Sequence, residues 1–313
     1  MTTTSLGSLS VSRIGLGCNN FGRPGSATEG LDGTRAVIDA ALDHGVTLLD
    51  TAALYGGPES VSETLIGQAL HGRRDAAIIA TKFGHTGGPE PSTWGRRGSR
   101  EFIRKAAEAS LRRLRTDRID LFQMHQPDPQ TPISETLGAL SELVDEGKVV
   151  EIGHSNFTAE MTREADDRAT DDRRRRFVSA QNEYSLLNRD IEGGLIAALE
   201  ERGLRLLPYF PLASGLLTGK YRKGEAPAGS RLASRLDSVS EETWSRLERY
   251  AALTSSLGVT PLDATFAWLL AQPVVASVIA GATSPEQVLA NAAAGRTSLD
   301  TEVLEQISAL FGA

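Results

Sequence analysis

The sequence predicts an α/β fold: a single closed (β/α)8 barrel of the TIM type over residues 1–313, with long loops after strands 3 and 7. Three observations lead there. Short apolar runs rich in β-branched residues recur along the chain, and each is followed by a segment of helical period. Strands apolar on both faces and separated by helices suit a parallel sheet covered by helices. Eight such units over about 280 residues favour closure over an open doubly wound sheet. An open sheet would carry a glycine fingerprint in its first turn. Here that turn reads Gly15-Leu16-Gly17-Cys18-Asn19-Asn20, with no third glycine at the required spacing.

In chain order, the first strand is expected at residues 12–18, with a helix at 34–44. A second strand at 46–52 leads to a helix at 60–70, and a third at 76–83 to a helix at 99–114. In that last helix Phe102, Ile103, Ala106, Ala107, Ser110, Leu111 and Leu114 share one face. Strands at 119–125 and 149–155 precede helices at 132–146 and 159–169. A sixth strand at 177–184 precedes a helix at 191–202, a seventh follows at 204–210, and the eighth at 276–282 precedes a helix at 285–294. Gly45, Gly147 and Gly203 stand where helix C-caps belong. Residues 84–98 and 213–240 interrupt the rhythm as Gly-, Pro- and Ser-rich loops. Both follow strands, on the face where barrel active sites form.

Composition excludes several function classes. Hydrophobic residues make up 40% and charged ones 23%, as in an ordinary soluble protein. A net charge of −7 without a basic stripe does not suit nucleic acid. Arg173–Arg176 follow Asp171 and Asp172 directly and read as a solvated face. The single cysteine, Cys18, rules out an internal disulfide or a thiolate metal cluster and reads as a buried filler. No His-x-His or His-x-x-x-His pair occurs, so no metal is expected. With no signal segment and no membrane-length apolar run, a cytoplasmic protein without membrane partners is expected.

Polar residues end the strands. The second ends near Asp50, with Tyr55 in its loop; the third gives Lys82 and the fourth His125. The fifth ends in Ser155-Asn156, the sixth in Gln181-Asn182 and the seventh at Tyr209. A barrel brings all of these to one rim. A phenol with a pKa near ~10 is a poor proton donor and acceptor at neutral pH unless an ammonium stabilises its phenolate. Lys82 can do so, Asp50 can hold the lysine charged, and His125 can orient a carbonyl oxygen by hydrogen bonding. The set suits protonation of an oxygen while hydride reaches its carbon.

Seven strings in order resemble the aldo-keto reductase family over nearly the whole chain. They are DTAALYG at 50–56, ATKFG with Lys82, SLRRLRTDRIDLFQMH ending at His125, EGKVVEIGHSNF at 146–157, QNEYSLLNR at 181–189, PLASGLLTGKY at 211–221 and IAGATSPEQVLAN at 279–291. The branch is similar to the bacterial reductases that resemble potassium-channel β-subunits. The resemblance implies a tetrad of Asp50, Tyr55, Lys82 and His125, with Tyr55 as general acid in reduction and general base in oxidation. It also implies NADPH bound across the rim, with NADH not excluded, and a small carbonyl substrate. By the same resemblance Ser155, Asn156 and Gln181 would hold the carboxamide, and Tyr209 would stack on the nicotinamide. Phe210, Pro211, Leu212, Ser214, Gly215 and Lys220 would follow the cofactor toward its pyrophosphate, with Arg231 adding a basic contact. Gly281, Thr283, Gln287 and Asn291 would surround the adenosine end. Phe21 and Trp94 are expected at the substrate, and His85 and His154 flank strand ends near it.

This chain departs from the family in three places. Phe210 stands where a serine is usual, Ala290 where many members carry a glutamate, and no Lys or Arg lies between 279 and 291. A grip on a 2′-phosphate would then fall to Arg231, Lys220 and the Thr283 and Ser284 hydroxyls. Two other readings compete: a Schiff-base aldolase using Lys82, and a non-catalytic module that binds the nucleotide and reports redox state. Oligomeric state and protein partners are left open by the sequence.

Overall fold

Gly7, at φ +59°, turns the first residues into an antiparallel hairpin of β1 (Thr3–Leu6) and β2 (Leu9–Ser12). The eight-strand reading does not contain this hairpin. Leu6 and Val11 from it pack against Leu48, Ala80, Leu121, Leu207 and Ala276, so the hairpin plugs the end of the barrel where the strands begin. The computed structural model describes residues 2–227, 232, 233 and 235–312.

Eight parallel strands follow: β3 (Ile14–Gly17), β4 (Leu48–Asp50), β5 (Ile78–Phe83), β6 (Ile119–Met124), β7 (Val149–Ser155), β8 (Ser179–Gln181), β9 (Arg205–Leu206) and β10 (Val278–Gly281). Each pairs with the next from β3 to β9, and β10 pairs with β3. The sheet closes because Leu206 N donates to Val274 O (2.8 Å), Ala276 N to Leu206 O (2.9 Å) and Ile279 N to Pro208 O (3.1 Å). The predicted (β/α)8 barrel is therefore the observed one. β9 is shorter than the predicted seventh strand because Pro208 has no N–H to continue the ladder.

Helices cover the outside. α1 (Leu31–Asp43), α2 (Val61–Ala69), α3 (Arg100–Leu114), α4 (Ile133–Asp145), α5 (Ala159–Asp171) and α6 (Leu195–Arg202) follow successive strands. Every residue of the predicted α3 face is buried. Gly45, Gly147 and Gly203 all adopt positive φ just past helix ends, as expected of C-cap glycines. Beyond the predicted loop lie α7 (Glu241–Ser256) and α8 (Pro261–Ala271), then α9 (Pro285–Ala294) and α10 (Thr301–Phe311). α8 starts at a capping box, Thr260 with Asp263, and has Pro261 in its first turn.

Alternation along the strands sets what points inward. Leu48, Ala80 and Leu121 fill the lower layer, and Asp50, Lys82 and Gln123 lie one step higher on the same faces. The basic run is exposed, as expected of a solvated face, and two of its residues form ion pairs, Arg175 with Asp145 and Arg176 with Asp166. Cys18 is buried in the core. Among the described residues no helix is long and apolar enough to cross a membrane.

Candidate active site

The ammonium of Lys82 is 1% exposed and lies below the rim. Its Nζ donates to both carboxylate oxygens of Asp50 (2.9 and 2.8 Å) and to Thr51 O (2.8 Å), and it lies within hydrogen-bonding reach of the Tyr55 hydroxyl. Gln181 Nε2 donates to the same Asp50 Oδ1 (2.9 Å). Tyr55 sits above this pair, with Lys82 Nζ 5.2 Å from its ring centre. Its turn is held by Tyr55 N donating to Ala52 O and by Ser62 N, at the start of α2, donating to Tyr55 O. Gly56 permits that contact: its φ is +81°, and a Cβ there would meet Ser62 N and Val61 Cβ at 2.8 Å. The His125 ring stands perpendicular to Tyr55 with centres 6.2 Å apart.

Burial pushes the Tyr55 phenol above its ordinary value, and the nearby charge of Lys82 only partly offsets it. Lys82 was expected to make Tyr55 more acidic. It does pull in that direction, but desolvation wins and the resting tyrosine is protonated. Burial also acts to lower the Lys82 ammonium, yet Asp50 and Tyr55 outweigh it and Lys82 ends above its usual value. Burial, reinforced by the Lys82 charge, brings His125 down to about 2, so its ring is neutral. A neutral imidazole beside a charged lysine can hydrogen-bond an oxygen but is no proton source at physiological pH.

Next along the rim, Ser155, Asn156, Gln181 and Tyr209 form one linked network. Ser155 Oγ donates to Gln181 O (2.6 Å), Asn156 Nδ2 to His125 O (3.0 Å) and Tyr209 Oη to Asn156 Oδ1 (2.9 Å). Asn156 adopts φ +62°, which turns the chain at the end of β7. The groove above them has a volume of about 1070 Å³. Asp50, Tyr55 and His125 open into it, as do Ser155, Asn156, Gln181, Tyr209, Phe210, Pro211, Leu212, Ser214, Gly215, Lys220, Gly281, Thr283, Gln287 and Asn291. Arg231 lies outside the described residues.

Phe210, Ala213, Ser214 and Gly215 all have positive φ, and this run bends the chain after Tyr209 around the groove. Gly215 sits at φ +96°, a conformation that favours glycine, and Lys220 Cε would lie 2.9 Å from a Cβ placed there. Phe210, 39% exposed, packs edge-on against Tyr209. At the far end, α9 begins with Ser284 capping Gln287 N, while Gln287 Oε1 accepts from Thr283 N (2.8 Å). Residues on and just before this helix N-terminus line the groove, an arrangement suited to anions.

Neither aromatic expected at the substrate reaches the groove. Phe21 is 0% exposed and belongs to the core, because residues 18–28 turn it inward. Trp94 packs edge-on against Phe102 on α3. His154 faces the helix layer, stacked on Phe157 at 4.5 Å, and burial lowers it to about 3. Sequence reasoning missed Asn19, Asn20, Arg23 and Gln126, which all line the groove. Asn19 and Asn20 flank Gly281 across the β3–β10 seam. Reading the end of the first strand as the other strand ends were read would have found them.

This geometry defines a rim-site (β/α)8 enzyme with a long polar groove and no Rossmann turn. The aldo/keto reductase family profile matches residues 13–311, and the chain belongs to that family. It is 37% identical to the uncharacterized oxidoreductase YrpG of Bacillus subtilis, across 97% of this chain and 93% of that one. It is 32% identical to an L-glyceraldehyde 3-phosphate reductase of Escherichia coli O157:H7, across 92% and 85%. A probable voltage-gated potassium channel subunit beta of Arabidopsis thaliana is 34% identical, across 82% and 80%, in keeping with the branch the sequence motifs indicate. The chain is therefore an oxidoreductase of a family that binds nicotinamide nucleotides and acts on small carbonyl compounds.

Proposed function

We propose that the chain is an NADPH-dependent reductase that interconverts an aldehyde or ketone and its alcohol, with Tyr55 as the general acid and base. The observation that carries this reading is the sealed Asp50–Lys82 pair beneath a protonated Tyr55 and beside a neutral His125, with Asp50, Tyr55 and His125 lining one long groove. The groove suits an extended dinucleotide: it is bent by left-handed residues at one side, closed by a helix N-terminus at the other, and polar along its floor. Asn156, Gln181 and Tyr209 would hold the nicotinamide end, Ser214, Gly215 and Lys220 the pyrophosphate, and Gly281, Thr283, Gln287 and Asn291 the adenosine. When bound, the nicotinamide supplies the hydride that the carbonyl carbon accepts.

Each remaining role falls to a side chain of the protein. His125, being neutral, donates a hydrogen bond to the carbonyl oxygen and turns it toward Tyr55. The Tyr55 hydroxyl gives that oxygen its proton, completing the alcohol; Lys82 stabilises the phenolate left behind. Asp50 keeps Lys82 charged and fixed, and Gln181 fixes Asp50. In oxidation the same phenolate takes the alcohol proton. A Schiff-base reading of Lys82 is disfavoured, since Asp50 holds its ammonium charged and it lies beneath the groove floor. Lys220 and the Thr283 hydroxyl favour a 2′-phosphate, and Arg231 adds to them by sequence.

The test is fluorescence titration with NADPH and NADH on wild type and Arg231→Ala, followed by a carbonyl panel with Tyr55→Phe. NADPH should bind more tightly than NADH, and Arg231→Ala should narrow the difference. Tyr55→Phe should lower kcat by about 10²–10⁴-fold while nucleotide affinity stays near wild type. If neither nucleotide binds, the reading is wrong.

A further inference from the structure

His85 opens the loop after β5, and its half-buried ring lines the groove next to His125, with ring centres 4.8 Å apart. Its Nδ1 accepts a hydrogen bond from Gly87 N (2.9 Å). In a neutral imidazole that bond settles the tautomer: Nδ1 is bare, and Nε2 carries the hydrogen. Burial, then the charge of Arg97, keeps this ring below the ordinary histidine value, so neutral is its form at physiological pH. The turn that presents it is held on both sides. Thr86 N donates to Gln126 Oε1 (3.0 Å), and Arg97 donates to Gly84 O (2.8 Å). The groove thus offers an imidazole N–H of fixed tautomer on His85 beside the neutral ring of His125. Phe21 and Trp94 are turned away from the groove at this point.

We infer that His85 is a specificity-determining residue: its Nε2–H donates to an oxygen on the carbon adjacent to the reacting carbonyl, so that the preferred substrates are α-hydroxy aldehydes and α-hydroxy ketones. This rests on the reductase reading above and names its substrate class. Two neighbouring N–H donors match two vicinal oxygens, whereas a methyl group in place of the second oxygen leaves the His85 donor desolvated and unpaired.

The experiment compares isosteric pairs, hydroxyacetone against butanone and 2-hydroxypropanal against 2-methylpropanal, by kcat/KM with saturating NADPH. Three forms are measured: wild type, His85→Asn and His85→Gln. Asparagine keeps an acceptor near the Nδ1 position for Gly87 N but has no donor at the Nε2 position; glutamine reaches the Nε2 position. Wild type should favour the hydroxylated member by about tenfold or more. His85→Asn should bring the ratio to within about twofold, chiefly through KM, and His85→Gln should restore part of it. Thermal unfolding and NADPH affinity, both near wild type in His85→Asn, separate this from a collapsed loop. Equal turnover of each pair by wild type, or an undiminished ratio in His85→Asn, overturns the inference and leaves the reductase reading intact. Nucleotide binding with turnover of neither hydroxylated substrate overturns it as well. Failure to bind either nucleotide sinks both readings.

Discussion

Consider the loss of one half of the Asp50–Lys82 pair. Both side chains are almost sealed from water, at 3% and 1% exposure, and Nζ lies 2.8 Å from the nearer carboxylate oxygen. At that separation, with an effective dielectric near 20, their attraction is on the order of 6 kcal/mol before desolvation is counted. Lys82→Met removes the ammonium and leaves the Asp50 carboxylate with only the Gln181 amide among its side-chain donors. Asp50→Leu leaves the ammonium with only Thr51 O and the Tyr55 hydroxyl. Each change strands one buried charge, and each should cost about 3–5 kcal/mol of folding stability. The double variant has no stranded charge, so its cost should fall well below the sum of the singles. A coupling of about 3 kcal/mol is expected. Urea unfolding at neutral pH measures it, with slopes checked for a common two-state transition. All three variants should be catalytically crippled, which marks the pair as serving Tyr55 more than the fold. If the two single costs simply add to within about 0.5 kcal/mol, the pair is not an isolated ion pair in a dry floor. The account of Tyr55 would then lose its support.

Two further outcomes follow from the titrating groups. Because His125 sits at about 2 and Tyr55 above its ordinary range, kcat/KM for carbonyl reduction should show no acid limb between about pH 5.5 and 8. It should decline only where Tyr55 begins to lose its proton, above ~10. An inflection near pH 6–7 that survives in His85→Gln would show that His125 titrates. His154 and His125 are buried as neutral rings, with folded values of about 3 and about 2, below the ~6.5 of an unfolded chain. The unfolded state therefore binds more protons, and their stabilising contribution is present above ~6.5 and lost as pH falls toward the folded values. Each should remove about 1.4 kcal/mol per pH unit below that point. Replacing His154, which stacks on Phe157 and meets Phe177 edge-on, with Phe should make the acid limb of a stability–pH curve shallower by about that amount. An unchanged slope refutes the assignment.

Local physics wrote much of the architecture directly into the chain. A run such as the one that became β5 can only be buried on both sides. The spacing of Phe102, Ile103, Ala106 and Leu111 can only be one face of a helix. The short β1–β2 hairpin escaped that logic because its residues are small and mostly polar, and it gains its stability from the barrel end it covers. Asp50, Lys82 and His125 were legible as residues at strand ends, and Tyr55 in the loop after one, because closure of the barrel is enough to bring strand ends together.

Other properties depend on contacts between segments far apart in the chain, and no local pattern encodes them. Phe21 and Trp94 are aromatic in either setting, and only the packed structure turned them into the core and away from the groove. The charge on Lys82 lowers a phenol in any setting, but how deeply Tyr55 is buried decides which way the balance falls. The tautomer of His85 depends on a backbone N–H two residues on, in a loop held by its own Arg97 and by Gln126 from the end of the neighbouring strand. By itself the sequence determined the barrel, the family and the four residues at its centre, since these rest on hydrophobic period and residue type. The tertiary structure alone decided protonation states and which of the loop side chains reach the groove. These are set by desolvation and by hydrogen bonds between distant segments, and both come into being only when the barrel closes.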